Sequence, residues 1–275
     1  MYASPDSPPV SVLFPVYKPD PAFLREAVQS ILEQDYSKLE LVIVEDPSPQ
    51  PGQATVESFA DARVRYHLNK QRTSLLEQLN QGLQLCRGTY VARMDADDIA
   101  LPARIGKQLR FLEERPAVWV SGTNIEVIDE RGRTLGYRRF AEQHEEIAKA
   151  MRIYCPLAHP SVMFRRAAAM AVKGYQQEAP LEDWDLWCRM LGTGGKFYNL
   201  QEPLLRYRIH PQANKAHAVR KTLLMGIEVK ERHFKQGMGT WGARERIRCW
   251  LERLLALLPG PLVVKLFLLT LRRQP

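Results

Sequence analysis

Acidic residues follow two of the predicted strands, at the point where each strand ends. Glu45-Asp46 comes after one short apolar run and Asp95-Ala-Asp-Asp98 after another. In an open α/β sheet, ligands bind beyond the carboxyl ends of the strands. Carboxylates this close repel one another unless a cation or a donor-rich ligand lies among them, so Asp-x-Asp here predicts a Mg²⁺ or Mn²⁺ site completed by substrate phosphates. The alternative is that Asp97 or Asp98 caps a helix beginning near Pro102.

The elements that must position these acids alternate along the first half of the chain. β-Branched and apolar runs predict strands, and apolar residues at helical spacing predict helices between them. We expect strands at 10–14, 41–44, 63–66, 89–94, 118–121 and 203–209, and helices at 21–32, 74–86, 102–114, 143–151, 165–171 and 182–191. A turn sequence at 129–132 predicts an appended antiparallel hairpin. This order predicts an α/β fold with an open, mixed, mainly parallel sheet flanked by helices.

Composition limits the class of protein. The chain has 275 residues, of which 45% are hydrophobic and 25% are charged, as is typical of a globular protein. A mean hydropathy of −0.32 excludes a polytopic membrane protein. Four cysteines without a Cys-x-x-Cys pair argue against a zinc site or a disulfide framework and favour a reducing cytosol. The first nine residues lack the pattern of a secretory signal, so we expect none.

The positive charge is concentrated near the C-terminus. Lys and Arg number 39 against 31 Asp and Glu, which gives a net charge of +8. Residues 215–275 hold 13 Lys and Arg against 4 Asp and Glu, a net charge of +9, so residues 1–214 carry −1. An excess of basic residues suggests nucleic-acid binding. Its confinement to one segment weakens that hypothesis, and we expect no nucleic-acid partner.

Several motifs follow one another along the first hundred residues. They are Val12-Leu-Phe-Pro-Val-Tyr17, Leu41-Val-Ile-Val-Glu-Asp46, Leu79-Asn-Gln-Gly-Leu83 and Gly88-Thr-Tyr-Val-Ala-Arg-Met-Asp-Ala-Asp-Asp-Ile-Ala-Leu-Pro102, followed by Arg104. In sequence and order they closely resemble the inverting family 2 glycosyltransferases of the GT-A fold. The resemblance runs from about Val10 to His210. It implies a GT-A catalytic domain over residues 1–214, with a nucleotide-binding half at about 10–122 and an acceptor half at about 123–214.

The resemblance also implies roles for individual residues in binding a nucleotide-activated sugar. Pro15, Val16 and Tyr17 resemble the turn that lines the base and the ribose. Asp46 matches the acid that hydrogen-bonds the base, which is compatible with a UDP- or a dTDP-sugar. Asp95 resembles the contact to the ribose or the diphosphate. Its neighbour, the second Asp of Asp-x-Asp, resembles the ligand of a Mn²⁺ or Mg²⁺ ion that bridges the diphosphate, and this is Asp97.

Two arginines and one departure from the family lie near these motifs. Arg72 and Arg93 are expected either to contact the base or a phosphate or to be solvated surface charges. The family usually has Gly-Ser after the acidic pair, whereas this chain has Pro47-Ser48-Pro49. Pro47 removes a backbone donor and stiffens the turn.

A second group of motifs resembles the acceptor half of the same family. It comprises His159-Pro-Ser-Val-Met-Phe-Arg165, Gly174-Tyr175, Glu182-Asp183-Trp-Asp-Leu-Trp187 and Tyr207-Arg-Ile-His210. The resemblance implies that Asp183 is the base that takes the proton of the acceptor hydroxyl. Glu182 and Trp184 are expected in the acceptor or sugar pocket, with helix capping and a core position as the respective alternatives. His210 would contact metal or phosphate and Arg208 phosphate, although a lone histidine is more often structural.

Residues 215–275 are predicted to form a basic, amphipathic helical extension. Apolar residues recur at helical spacing at 223, 224 and 227, and again at 247, 250, 251, 254, 255 and 258. The last apolar run, 262–271, is too short to span a bilayer and contains Lys265. Such a segment suits an interfacial helix on an anionic leaflet, which would hold a cytoplasmic enzyme on the inner face of the plasma membrane. Packing on the catalytic domain and formation of a homodimer are the alternatives.

The sequence therefore predicts an inverting, metal-dependent glycosyltransferase. Its acceptor would be a glycan or a lipid-linked saccharide in the synthesis of a cell-surface polysaccharide or lipopolysaccharide. One alternative is an Asp-x-Asp phosphatase, although Ile99 stands where that class has Thr. A sugar nucleotidyltransferase is a second alternative, but no Gly-rich, Arg-containing signature opens the first strand. A basic nucleic-acid-binding protein is the non-enzyme alternative.

Overall fold

The computed structural model describes residues 9–177, 180–209, 219–235 and 242–258. Its strands are β1 (Val10–Tyr17), β2 (Leu39–Asp46), β3 (Val64–Leu68), β4 (Tyr90–Arg93), β5 (Ile99–Ala100), β6 (Val118–Ile128), β7 (Thr134–Arg138), β8 (Met163–Arg165) and β9 (Lys196–Arg208). Its helices are α1 (Pro21–Leu32), α2 (Gln53–Glu57), α3 (Leu75–Leu85), α4 (Arg104–Glu114), α5 (His144–Met151), α6 (Arg166–Ala171), α7 (Glu182–Gly192), α8 (Val219–Lys235) and α9 (Ala243–Leu255). A 3₁₀ turn spans His159–Ser161.

The strands form one mixed sheet in the order β3-β2-β1-β4-β8-β6-β9-β5, with β7 paired to β6. Strands β3, β2, β1 and β4 are mutually parallel. Beyond β4 the directions are mixed: β8 is antiparallel to β4 and β6, β9 is parallel to β6, and β5 is antiparallel to β9. The prediction of an open, mixed α/β sheet is confirmed, but the sheet is not mainly parallel, because four pairings of the described strands are parallel and four are antiparallel. The parallel half brings the carboxyl ends of β1 and β2 together at one edge, where ligands bind in such folds.

The helices that flank the parallel half begin at residues that stabilise their first turn. Asp20 Oδ1 accepts hydrogen bonds from two backbone N–H groups of α1, at 2.8 and 3.2 Å, and Pro21 occupies the first helical position. At α3, Ser74 and Glu77 form a reciprocal capping box. Both devices satisfy N–H groups that have no partner inside the helix. The helices therefore begin close to the positions that the sequence predicts.

The core lies on both faces of the sheet. Along β1, side chains alternate between faces, as the pleat requires. Val12 and Phe14 pack with α1 and α4 on one face, and Leu13 packs with α3 on the other. The second face also contains the apolar side of α7 and reaches Val229 of α8. Helix α7 is therefore held between the sheet and the C-terminal helices.

The hairpin predicted near 129–132 is confirmed, because β6 and β7 pair antiparallel. Gly132 turns the chain there with φ of +75°, a conformation that favours glycine. Strand β9 begins earlier than predicted, and β5, β8 and α2 were not predicted at all. Those elements are only two, three and five residues long. Segments this short carry too little periodicity to be recognised.

Helices α8 and α9 belong to the predicted C-terminal extension. Lys230 of α8 forms an ion pair with Glu252 of α9, and Arg253 of α9 forms one with Glu231 of α8. Among the described helices, none combines the length and the apolar character that a membrane crossing requires. The apolar run at 262–271 lies outside the described residues.

Candidate active site

Three of the residues predicted to bind nucleotide lie together at the end of the parallel strands. Tyr17, the last residue of β1, is the direct neighbour of Asp46, the last residue of β2. Arg72 reaches the same place from the β3–α3 connection, with its guanidinium carbon 4.4 Å from the centre of the Tyr17 ring. The Tyr17 side chain is 43% exposed, so one face of this arginine–tyrosine pair is open to a ligand. Lys18, the next residue, has φ of 49° and turns the chain away from the sheet.

The carboxylate of Asp46 is buried and already holds the neighbouring loop. It accepts hydrogen bonds from Asn69 Nδ2 at 2.8 Å, Thr73 N at 2.7 Å and Thr73 Oγ1 at 2.9 Å. These bonds fix the ends of the segment that carries Arg72. Asp46 therefore has a clear structural role beside any contact with a base, and that contact stays a prediction.

The loop with the unusual prolines is closed by the other acid of the pair. Glu45 is fully buried and accepts hydrogen bonds from Gly52 N and from the Tyr66 hydroxyl, both at 2.7 Å. The end of β1 is held by α3, because Gln78 donates to the carbonyl oxygen of Val16 at 2.9 Å. This backbone oxygen, which lies in the predicted nucleotide-binding turn, is therefore already hydrogen-bonded within the protein.

Asp95, Asp97 and Asp98 converge after β4, with carboxylate oxygens within 4.8 Å of one another. Asp98 is buried, and its Oδ1 accepts the N–H of Arg208 at 2.9 Å. Burial raises the pKa of Asp98 well above its usual value, and the charges of Asp95 and Asp97 raise it further. Within the described part of the chain, Asp98 Oδ2 has no hydrogen-bond partner. An all-carboxylate set with a buried, unpartnered oxygen fits a hard divalent cation.

The capping alternative for these acids is wrong. Helix α4 is preceded by Ala103 at its N-cap, with no side-chain hydrogen bond to the first turn. Asp98 instead bonds to β9, far along the chain. The acid cluster therefore lies at the end of β4 without capping α4.

Arg93 connects the acid cluster with the acceptor half. Its Nη2 lies 2.6 Å from Asp95 Oδ1, and the side chain is only 3% exposed, so it is not a solvated surface charge. Although burial opposes its charge, Asp95 raises the pKa of Arg93, and Tyr175 and Glu182 add to this effect. Arg104 donates to the carbonyl oxygen of Arg93 at 2.7 Å and holds the end of β4. One buried cation therefore lies within the field of acids from both halves.

Arg208 does not serve as a phosphate contact, contrary to the prediction. Its Nε donates to the carbonyl oxygen of Asp97 at 2.8 Å, its Nη1 to that of Glu130 at 3.1 Å, and its Nη2 to Glu26 Oε2. With every guanidinium nitrogen occupied inside the protein, Arg208 positions the Asp-x-Asp segment instead. His210, predicted to contact metal or phosphate, lies outside the described residues.

Asp183 lies in the first turn of α7, where it is 9% exposed. Its Oδ1 accepts the N–H of Trp184 at 2.7 Å, and the thiol of Cys155 donates to its Oδ2 at 3.5 Å. Burial raises the pKa of Asp183 above its usual value; the charge of Glu182 also raises it, while His159 acts in the opposite direction. A carboxylate with a raised pKa is a better proton acceptor than an exposed one.

Glu182 is buried and oriented by a histidine. His159 Nδ1 lies 3.4 Å from Glu182 Oε1, and His159 Nε2 lies 3.0 Å from the hydroxyl of Tyr175. Burial opposes ionisation of Glu182, but the hydrogen bond and the charge of His159 outweigh it, so the pKa of Glu182 is lowered. Adjacent acids with pKa values shifted in opposite directions have different protonation preferences. The role of Asp183 as the base that takes the acceptor proton stays a prediction.

Trp184 is a core residue and not a sugar-stacking platform. It is 4% exposed, and its indole nitrogen donates to the carbonyl oxygen of Met151 at 2.9 Å. Gly226 of α8 lies against the ring, where an added Cβ would be 3.5 Å from Cζ3. A sugar can stack on a ring only if at least one face of the ring is accessible, and the Trp184 ring is enclosed. The core alternative stated for Trp184 therefore describes its position.

The sequence did not reveal several residues that shape this site. Thr73 and Asn69 hold Asp46, and Cys155 contacts Asp183; Arg208 was named for a different role, and its contact with the carbonyl oxygen of Asp97 was not foreseen. Each contact joins residues 23 or more positions apart, so no local pattern signals it. His159 stood in a recognised motif, but only the fold shows that it faces Glu182.

Comparisons with known proteins show the family of this chain. The model of "Glycosyl transferase family 2" matches residues 11–172, which is more than half of the chain. EpsE of Bacillus subtilis, named as a putative glycosyltransferase, is 34% identical over 73% of this chain and 73% of its own length. The O-antigen biosynthesis glycosyltransferase WbnJ of Escherichia coli is 32% identical over 76% of this chain and 83% of its own.

A further relative and two solved structures extend the comparison. UDP-Gal:alpha-D-GlcNAc-diphosphoundecaprenol beta-1,3-galactosyltransferase of Escherichia coli is 31% identical over 77% of this chain and 78% of its own. TarS 1–349 of S. aureus, solved with UDP-GlcNAc, has a TM-score of 0.64 at 15% identity, over 91% of this chain and 81% of its own. The mannosyltransferase PcManGT of Pyrobaculum calidifontis, solved with GDP-Man and Mn²⁺, has a TM-score of 0.62 at 17% identity, over 96% and 74%. The structural matches confirm the GT-A fold, and together with the family match they show that this chain is a glycosyltransferase that belongs to glycosyl transferase family 2.

Proposed function

We propose that this enzyme transfers a sugar, with inversion, from a UDP- or dTDP-sugar to a hydroxyl group of a glycan or a lipid-linked saccharide. The observation that carries the proposal is the position of Asp183. This carboxylate has a raised pKa and lies in the acceptor half, and the buried cation Arg93 links that half to the acid cluster after β4. A proton acceptor and an acid cluster that fits a divalent cation are the two parts that such a transfer needs.

In the proposed reaction the acceptor hydroxyl attacks the anomeric carbon from the side opposite the diphosphate. The new C–O bond forms as the bond to the diphosphate breaks, and Asp183 takes the hydroxyl proton. Glu182 stays ionised beside His159 and holds negative charge next to the base, which favours the proton on Asp183. Tyr17 and Arg72 offer an exposed stacking surface for the nucleotide.

A divalent cation would be held by Asp97 together with Asp95 and Asp98, and when bound it would supply positive charge at the leaving diphosphate. The chain contributes the rest of that arrangement. Arg208 fixes the carbonyl oxygen of Asp97, and Asp98 is anchored through the N–H of Arg208. These contacts keep the three carboxylates close together although their negative charges repel one another. A bound cation would reduce that repulsion.

The relatives support the proposed donor and acceptor classes. One relative is named for a UDP-sugar donor and a diphosphoundecaprenol-linked acceptor, and another for O-antigen biosynthesis. The structural neighbours were solved with nucleotide sugars, one of them with Mn²⁺. The family assignment replaces the phosphatase, nucleotidyltransferase and nucleic-acid-binding alternatives.

A screen of nucleotide sugars by thermal shift, with and without Mn²⁺, tests donor and metal together. The correct donor should stabilise the protein by about 2–3 kcal/mol at roughly 100-fold excess over Kd. In Asp97→Asn we expect the Mn²⁺-dependent part of this shift to disappear. Glu202→Gln is the matched control, because Glu202 is an exposed acid that pairs with Lys107 on the surface. An unchanged Mn²⁺ effect in Asp97→Asn would refute the metal assignment.

The pH dependence should report the raised pKa of Asp183. Because the base must be ionised, kcat/KM should fall as the pH falls through that pKa, which lies above the value of about 3.9 for an ordinary Asp. Cys155 donates to Asp183 and so favours its ionised form. Cys155→Ala should therefore move the acidic limb of the pH–rate profile to higher pH, and Cys155→Ser, with a stronger donor, to lower pH. A limb that stays in place in both variants would contradict the base assignment.

A further inference from the structure

We propose that the outer face of α9 is a docking surface for an anionic lipid membrane. The outer face is defined here as Ile247, Trp250, Leu251 and Leu254, whose spacing puts them on one side of the helix. Their side chains are 58%, 58%, 47% and 42% exposed, and Leu257 just beyond the helix is 74% exposed. A continuous exposed apolar patch of this kind marks an interaction site, whereas single exposed apolar residues do not.

The opposite side of α9 is fixed to the protein. Cys249 and Ala256 are each only 2% exposed, and Glu252 on the same side pairs with Lys230 of α8. Lys230 is itself buried beside the Trp184 ring, 5.9 Å from its centre. Rotating α9 to bury the outer face would break the buried pair and expose Cys249. The outer face therefore stays directed away from α8.

Arginines border the outer face along its length. Arg246, Arg248 and Arg253 are all exposed, although Arg248 also pairs with Glu252 and Arg253 with Glu231. Arg246 and Arg253 line a shallow groove of about 410 Å³ together with Ile247, Cys249 and Trp250. A groove with apolar walls and a guanidinium at its edge fits a lipid whose phosphate pairs with arginine while its acyl chain contacts the apolar residues. Tryptophan is well suited to this position, because its ring is apolar and its N–H is polar.

Charge distinguishes this occupant from two others. A second copy docked through the same face would bring like-charged arginines together, which opposes association. Residues 259–275 contain Lys265, Arg272 and Arg273 and no Asp or Glu, so their side chains would bring further positive charge to a face that arginines already border. An anionic lipid surface supplies both negative charge and an apolar phase. It is the occupant that matches both properties of the face.

The test is flotation of the full-length protein with vesicles. We expect binding to phosphatidylcholine vesicles that contain roughly one quarter phosphatidylglycerol, and about tenfold weaker binding to phosphatidylcholine alone or at high salt. Replacing Ile247 and Leu254 by Ser should weaken binding to the anionic vesicles by about tenfold or more. Because both side chains are exposed, these changes should leave the fold intact. Brominated lipids should quench a fluorescence component that Trp250→Phe removes.

The matched control replaces Leu135 and Tyr137 of β7 by Ser, because these apolar residues are 61% and 65% exposed on another element. This control should bind vesicles as the unaltered protein does. The proposal is overturned if the protein does not float with anionic vesicles, or if the control loses binding as strongly as the α9 variant. It is also overturned if light scattering shows a dimer that the α9 substitutions dissociate, since the face would then join two copies.

Discussion

Replacing Asp183 by Asn should lower kcat by roughly 10²- to 10⁴-fold while leaving nucleotide-sugar affinity unchanged. The substitution keeps the size of the side chain and an oxygen that can accept the N–H of Trp184, but it removes the carboxylate that we propose takes the proton. Steady-state transfer assays, combined with calorimetric titration of the donor, separate the two effects. A loss confined to kcat would be expected of a group whose interaction is made only in the transition state.

Glu182→Gln provides the comparison for that experiment. Glu182 lies one residue earlier and faces His159, and its charge raises the pKa of Asp183, so we expect it to act on the reaction through Asp183. Removing its charge should lower the pKa of Asp183 and shift the acidic limb of the pH–rate profile downward, with a smaller loss of kcat. If Asp183→Asn retains near-normal turnover while Glu182→Gln loses it, the roles of the two acids are reversed.

Replacing Asp185 by Ala should destabilise the protein by about 3–5 kcal/mol. Asp185 is fully buried, and its oxygens lie 2.8 Å from Arg189 Nη2, 3.1 Å from Arg232 Nη1 and 3.0 Å from His233 Nε2. Removing the carboxylate leaves cationic and polar groups of α7 and α8 without their common partner. Urea unfolding, monitored by circular dichroism, measures the change in the free energy of unfolding.

The pH dependence of that effect has a defined sign. Although burial opposes ionisation of Asp185, the hydrogen bond from His233 and the charge of Arg189 lower its pKa. Its stabilisation is therefore fully present above the unfolded pKa of about 3.9 and is lost as the pH falls through the lower folded value. The exposed acid Glu146 of α5 is the control, since Glu146→Ala should change stability by no more than about 0.5 kcal/mol. Equal stability of Asp185→Ala and the unaltered protein at neutral pH would contradict this account.

The parallel half of the fold could be predicted because its signals are local. Strands β1 and β2 are continuous apolar runs, and the caps of α1 and α3 stand next to the helices they begin. Strand β9 was predicted too short because its first residues carry no local strand signal. The part that was missed, residues 196–202, contains Asn199 and Glu202, which are typical of loops, yet Asn199 is buried and donates to the carbonyl oxygen of Ala141 at 2.7 Å. Partners 58 and 43 residues away, the carbonyl oxygens of Ala141 and Pro156, make a buried asparagine compatible with this strand.

The candidate site was predicted as a set of residues but not as a set of contacts. The order of motifs named Asp46, Asp95, Asp97 and Asp183, and the fold places the first three at the strand ends. The order of motifs could not show that the Asp46 carboxylate accepts a hydrogen bond from Thr73, because the two residues are 27 positions apart. Hydrogen bonds of this kind depend on the final packing, which spacing along the chain does not encode.

The first turn of α7 gives each of its acids a different partner. Glu182 faces the His159 turn, Asp183 faces Cys155, and Asp185 is enclosed by residues of α8. The C-terminal helices consequently cannot be exchanged between relatives as a detachable anchor. A chimaera that takes these helices from a relative must also supply cationic and histidine partners for Asp185. Without them, α7, the helix that carries Asp183, would lose the contacts that fix it to α8.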